Sequence, residues 1–203
     1  MDESRRERKK RQTRRLIAET AIRLFGERGY EQTTVAEIAA AADVATKTFF
    51  NHFPSKEDVL FTGTRERNAV LLAVIAGRRP GESLPDLLTR MYEKLLADYR
   101  AEGVEAEDPE LMKTYTRLVM TVPALRAKAL YMSFELQKEI AETLVKVYPD
   151  ELDPVGAAAV VGSVIGAVQG AALASMDLGE PEERFWASMR RGFDLALRSL
   201  RTP

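Results

Sequence analysis

Apolar residues return at three- and four-residue intervals through almost the whole of this chain, and no segment alternates as a half-buried strand would. Between Arg14 and Arg28 the stripe is Ile17, Ala21, Leu24 and Phe25, one face of an amphipathic helix. Gly29 supplies its stop. Thr33 and Thr34 offer N-caps for the next helix, and Glu37 stands three residues after Thr34 in capping-box register. Val35, Ile38, Ala39 and Ala42 form that helix's stripe; Asp43-Val44 breaks it, and a third short helix carries Thr46 to His52. Pro54-Ser55 interrupts again, with Ser55 as the cap of a long helix expected from Lys56 to about Gly77.

Three short helices joined by tight connections read as a helix-turn-helix module. Longer helices follow. Arg78 to Glu82 is a loop and Ser83 starts a helix to about Arg100; an acidic loop spans 101–109; Pro123 divides the next two helices; Pro154 and Pro181 open the last two. The expectation is an all-α chain of about nine helices, with a flexible basic arm at 1–12, a DNA-binding domain at 13–60 and a ligand-binding and dimerisation domain at 61–203.

Charge and composition narrow the chemistry. Residues 1–15 hold eight Lys/Arg against three acids, a net +5 inside a chain of net −1. Positive charge gathered at one end of an acidic protein points to a polyanionic partner for that end. The chain has no Cys and a single His, His52, so disulfides, thiolate chemistry and a histidine-rich metal cluster are excluded. No nucleophile–base pair, metal-ligand spacing or Gly-rich phosphate loop is visible, and the expectation is a non-enzyme without metal or cofactor. The opening MDESRRERKKRQTRR lacks an apolar run after its basic residues and does not read as a secretory leader, so a cytoplasmic location is expected. Residues 154–176 are uncharged and long enough for a membrane span. However, Ala and Gly dominate and Gln169 interrupts, so a helix packed among others is expected, with Gly162, Gly166 and Gly170 making a smooth face.

Residues 33–60, TTVAEIAAAADVATKTFFNHFPSKEDVL, resemble the DNA-binding signature of the TetR family: a Thr-capped helix with an Ile-Ala pair, a turn ending in Val, a Thr-aromatic-aromatic run reaching His-Phe, and a Lys-Glu pair after a short loop. RLFGERGYEQTT at 23–34 also fits, so the resemblance covers about residues 13–60. Beyond it, only size and helical character agree. The resemblance implies a homodimeric transcriptional regulator, usually a repressor, that leaves a palindromic operator when its helical C-terminal part binds a small molecule. The wording TFFNHFPSKEDV is similar to that of actinobacterial members, some of which sense acyl-coenzyme A or similar lipophilic metabolites.

Candidate site residues follow. In the third helix Phe49, with Phe53 just beyond, packs inward, which turns Thr46, Lys47, Thr48, Phe50 and Asn51 outward. Lys47 can reach a guanine edge or a phosphate, and Asn51 can pair with adenine. By resemblance, Thr34, Thr48 and Lys56 occupy phosphate-contacting positions, and Lys56 is expected at a helix N-terminus, which attracts phosphate. His52 reads as a phosphate neighbour or a helix-end cap. Many TetR relatives carry Tyr where this chain has Phe50; without a hydroxyl, contact with a thymine methyl and simple packing both stay open. For the ligand pocket, the Met- and Tyr-rich stretch 84–148 offers Met91, Tyr92, Leu95, Tyr115, Val119, Met120 and Phe134. For the dimer, the resemblance points to the last two helices, with Gly162, Gly166, Gly170 and Phe193 at the interface.

Overall fold

The computed structural model describes residues 5–102 and 108–200. Among them every regular element is helical: α1 (Arg5–Arg28), α2 (Val35–Ala41), α3 (Thr46–His52), α4 (Thr64–Ala76), α5 (Leu84–Glu102), α6 (Pro109–Thr121), α7 (Pro123–Val147), α8 (Pro154–Asp177) and α9 (Glu182–Leu200), with a 3-10 turn at Glu57–Val59. The chain is all-α, with an N-terminal helix-turn-helix. Pro109, Pro123 and Pro154 each open a helix at its first residue, where the missing N–H would have had no partner. Asp108 and Asp153 cap α6 and α8 by accepting from the N–H groups of Leu111 and Gly156.

Two boundaries differ from the expectation. Helix α1 begins at Arg5 and not at Arg14, so residues 5–12, expected as a flexible arm, form its first turns. The long helix expected from Lys56 does not form. Only the 3-10 turn follows Lys56; Gly63 then takes φ +73, a left-handed conformation that ends the turn, and α4 starts at Thr64. The expected loop at 101–109 falls, over 103–107, outside the described residues, as do residues 1–4 of the arm.

The chain divides into two compact units, one of residues 1–67 and 95–132, the other of 68–94 and 133–203, a different partition from the expected linear cut after residue 60. In the first, Ile17 and Phe25 of α1, Ile38 of α2, Phe49 of α3 and Leu118 of α6 share one apolar cluster with Phe53. Val119 belongs to that cluster and Tyr115 packs on it.

In the second unit α8 and α9 lie along each other with unusually close backbones. A Cβ on Gly192 would stand 2.5 Å from the Ala167 carbonyl oxygen and 2.9 Å from the Ala171 Cβ. The close contact is thus made by Gly192 of α9 and not by the three glycines expected to form a smooth face: nothing lies within 4 Å of a Cβ added at Gly166 or Gly170, and one at Gly162 would meet only Gln137 Oε1, at 3.8 Å. Phe193, expected at a dimer interface, is 0% exposed, and its ring stacks on Tyr92 at 4.2 Å. It is a core residue, because it follows Gly192 onto the inward side of α9. In the same unit the Arg78 guanidinium sits 3.9 Å from the Tyr148 ring centroid and donates to the Val147 carbonyl at 2.8 Å.

The seven pocket candidates do not gather in one unit. Leu95, Tyr115, Val119 and Met120 belong to the first, and Met91, Tyr92 and Phe134 to the second. Met91 and Tyr92 are buried, while Phe134 is 66% exposed. Surface hollows of about 460 Å³ along α9 and about 560 Å³ between α7 and α8 include none of them. Apolar residues at helical spacing mark a buried face, and they do so whether or not a ligand is present.

The α8–α9 approach gives a direct stability test. Gly192→Ala places a methyl against backbone, which cannot swing away, so the helices must separate. We expect a loss of about 1–3 kcal/mol in urea denaturation.

Candidate nucleic-acid interface

The site is built from two short helices that are held by caps and by burial, since seven residues are too few to be helical alone. Thr34 caps α2 with extended backbone (φ −96, ψ 157). Its hydroxyl accepts from the Glu37 N–H at 3.2 Å and donates to Glu37 Oε2 at 2.7 Å, and the Glu37 carboxylate accepts from the Thr34 N–H at 2.8 Å. That backbone bond, then the hydroxyl, holds the Glu37 carboxyl below the usual carboxylate range. The capping box seen in the sequence is therefore formed on both sides.

Asp43 makes the turn. It takes φ +51, a left-handed conformation that Asp tolerates better than most residues. The Asp43 N–H reaches the Ala40 carbonyl and the Val44 N–H reaches the Ala39 carbonyl at 2.9 Å, a reversal that closes α2 in the manner usually reserved for glycine. Helix α3 leaves this turn with its inner side fixed. Phe49 and Phe53 are both 0% exposed with rings 5.6 Å apart.

With Phe49 inward, Thr46, Lys47, Phe50 and Asn51 stand together on the exposed side, and Thr48 is half-buried at its edge. His52 is half-buried, and its Nδ1 is enclosed without a hydrogen-bond partner. Burial, and then the positive charges of Arg14 and Lys10, push its pKa below the ordinary 6.5. Arg14 itself lies 4.9 Å from the Phe53 ring centroid. The exposed cations of α1, Arg5, Arg6, Arg8, Lys9, Lys10 and Arg11, add a positive flank.

Lys56 departs from its expected place. It does not start a long helix, and its ammonium turns inward to donate to the carbonyls of Tyr30 at 2.8 Å and Thr33 at 3.2 Å, over the Tyr30 ring at 4.0 Å. Glu57 accepts from the Tyr30 hydroxyl at 2.7 Å. Asp58 accepts from Ser55 and from Lys128 of α7. Burial acts to raise the Asp58 pKa, but the bonds from Lys128 and Ser55 outweigh it and hold the carboxyl low. Sequence reasoning missed Arg14 as a neighbour of His52 and Lys128 as a partner of Asp58. The second pair spans 70 positions, which no local pattern encodes.

The His52 environment makes a signed prediction. In the unfolded chain His52 protonates near 6.5; in the fold it resists protonation. Its contribution is therefore present above 6.5 and lost as pH falls below that value towards the depressed native pKa. Stability of the wild type should decline through this window, and His52→Gln should flatten the decline. A parallel decline in both proteins would remove the assignment.

Comparison with known proteins agrees with this geometry. The family model described as bacterial regulatory proteins, tetR family, matches residues 17–62. The HTH-type transcriptional regulator TcmR of Streptomyces glaucescens is 35% identical over 139 residues, 68% of this chain and 62% of that protein. The chain thus spans less than two thirds of the length of the curated relatives it matches. Among solved structures, a Mesorhizobium loti protein described as a TetR-family transcriptional regulator superposes with a TM-score of 0.59 at 18% identity, over 97% of this chain and 96% of that one. Thermus thermophilus FadR, a TetR-family transcriptional repressor in complex with lauroyl-CoA, gives a TM-score of 0.52 at 26% identity, over 94% of this chain and 96% of that one.

Proposed function

This chain belongs to the TetR family of bacterial regulatory proteins, and from that membership we propose that it is a cytoplasmic, homodimeric repressor that binds a palindromic operator and leaves it on binding a small lipophilic or acyl-type molecule. The observation that carries the DNA-binding part is the outer face of α3. Thr46, Lys47, Phe50 and Asn51 are exposed together because Phe49 and Phe53 hold the opposite side in the core. A short helix with one face pinned and the other bearing an amide and a cation has the form of a major-groove reader. The exposed cations on the first turns of α1 add a phosphate-binding flank that carries no sequence information.

The division of labour is testable by titration on randomised duplex DNA at several salt concentrations. Lys47→Ala and Asn51→Ala should each change the preferred half-site and cost about 1–3 kcal/mol on the wild-type sequence. Replacing Lys9, Lys10 and Arg11 should weaken specific and non-specific binding together. It should flatten the log–log salt dependence by roughly one unit per lost phosphate contact. Lys56→Ala is expected to act through the fold, because its ammonium holds the Tyr30 and Thr33 carbonyls: a lower melting temperature should accompany any loss of affinity. Retention of the selected sequence by the Lys47 and Asn51 variants would reject this orientation of α3.

For the dimer, α8 is the favoured element. Gly166, Gly170 and Leu173 are exposed on it, and open space faces both glycines, so a second copy can approach closely. Sedimentation at micromolar concentration should give twice the chain mass, and Gly166→Leu should shift the balance towards monomer. The acyl-type effector draws support from the similarity to the FadR complex with lauroyl-CoA. An acyl-coenzyme A that raises the melting temperature should weaken operator binding in parallel.

A further inference from the structure

One residue on the outer face of α3 is out of keeping with its neighbours. Phe50 is 53% exposed, with Thr46 one turn before it and Lys47 and Asn51 beside it on the same side. Its ring has no room on the inner side, which Phe49 fills at 0% exposure. The two rings meet edge to face at 5.5 Å and 81°, a favoured aromatic geometry. Phe50 is therefore propped outward by a core residue, and of the alternatives the sequence left open, simple packing is the one its exposure disfavours.

We propose that Phe50 is a specificity-determining residue that reads the 5-methyl group of a thymine in the major groove. The inference rests on the DNA-binding reading of α3. A benzyl side chain has no donor or acceptor, so it can neither bond a phosphate oxygen nor pair with a polar base edge. In the major groove the one apolar group on a base edge is the thymine methyl, and apolar side chains discriminate through it. Lys47 and Asn51 can hydrogen-bond to guanine and adenine edges, so Phe50 adds the contact that polar residues cannot make. Because Phe49 holds the ring in place, little side-chain freedom is lost when the methyl is buried against it.

The experiment begins with selection of bound sequences from randomised duplex DNA by the wild-type protein. Each thymine of the selected half-site is then replaced singly by deoxyuridine, which removes only the methyl. One position per half-site should lose affinity by about fourfold, the value expected for one buried methyl-sized group. Phe50→Leu should keep this sensitivity, and Phe50→Ser should bind the deoxyuridine and thymine duplexes equally. Circular dichroism of both variants checks that they fold, which the exposure of Phe50 favours. Replacing the sensitive T·A pair by C·G and then methylating that cytosine at C5 should recover part of the loss. If no sequence is enriched, the DNA-binding reading falls and this inference with it. If a sequence is enriched but deoxyuridine is neutral at every position, the methyl contact alone is overturned. Unchanged sensitivity in Phe50→Ser would likewise overturn it, since another residue would then read the methyl.

Discussion

The placement of Phe49 and Phe53 beneath α3 decides the rest of the proposed interface. Helix α3 has seven residues, too few to specify its own orientation, and its first residue lacks a side-chain cap because Ala45 precedes it. What fixes its rotation is burial: full removal of two phenyl rings from water is worth roughly 2–3 kcal/mol each, far more than any single exposed polar residue gains by turning. Once those rings meet Ile17, Phe25 and Ile38, Thr46, Lys47, Phe50 and Asn51 have only the outer side left. The polar face is thus a consequence of the core.

The segment after α3 shows how consecutive charges can act in different directions. Lys56, Glu57 and Asp58 adjoin one another, yet Lys56 and Glu57 bind the Tyr30–Thr33 connection whereas Asp58 binds Lys128 of α7. Their partners lie in different directions, and Glu57 and Asp58 stand on the 3-10 turn at Glu57–Val59 and not on the expected α-helix. Lys56 illustrates the energetics. Its ammonium exchanges water for two carbonyls and an aromatic face, a set of charge-assisted contacts that ties the end of α1 to the start of α2. A lysine used this way is a joint within the first unit, between the end of α1 and the start of α2.

What the sequence disclosed and what it concealed separate along a physical line. Local signals were legible: the Thr34–Glu37 box, the Asp43 turn, and Pro123 and Pro154 at the starts of α7 and α8 depend on residues a few positions apart, whereas Pro109, expected in the acidic loop, opens α6. The inward side of α3 was legible too, because its apolar residues recur at helical spacing. Long-range choices were not. Nothing near Phe193 indicates that Tyr92 will cover it, and nothing near Asp58 indicates Lys128. The glycines of α8 looked like the tight contact, but Gly192 of α9 makes it, since a small-residue stripe states that close approach is permitted without stating from which side. Val119 and Tyr115 were candidate pocket walls for the same reason: periodicity identifies a buried face and is silent on what lies against it.

The first turns of α1 present a different conflict, between helix formation and charge. Arg5 and Lys9, Arg6 and Lys10, Lys10 and Arg14, and Arg11 and Arg15 are each four residues apart, and such like-charged pairs destabilise a helix by about 0.2–0.5 kcal/mol each. Cations at a helix N-terminus also oppose the helix dipole. Glu7 in the first turn and the Arg15–Glu19 bond at 2.7 Å offset part of this. Further along, Ile17, Ala18 and Ala21 anchor the helix in the core, so the charged turns extend a helix already nucleated and need no nucleus of their own. That is why a segment whose composition reads as an arm can be helical. It also gives the charge a use: a helix holds its cations in a fixed row, where a loop would scatter them, and a polyanion lying along that row removes the repulsion that opposes the helix. Under the proposed function, the same residues that weaken α1 in the free protein are those whose charge DNA would neutralise.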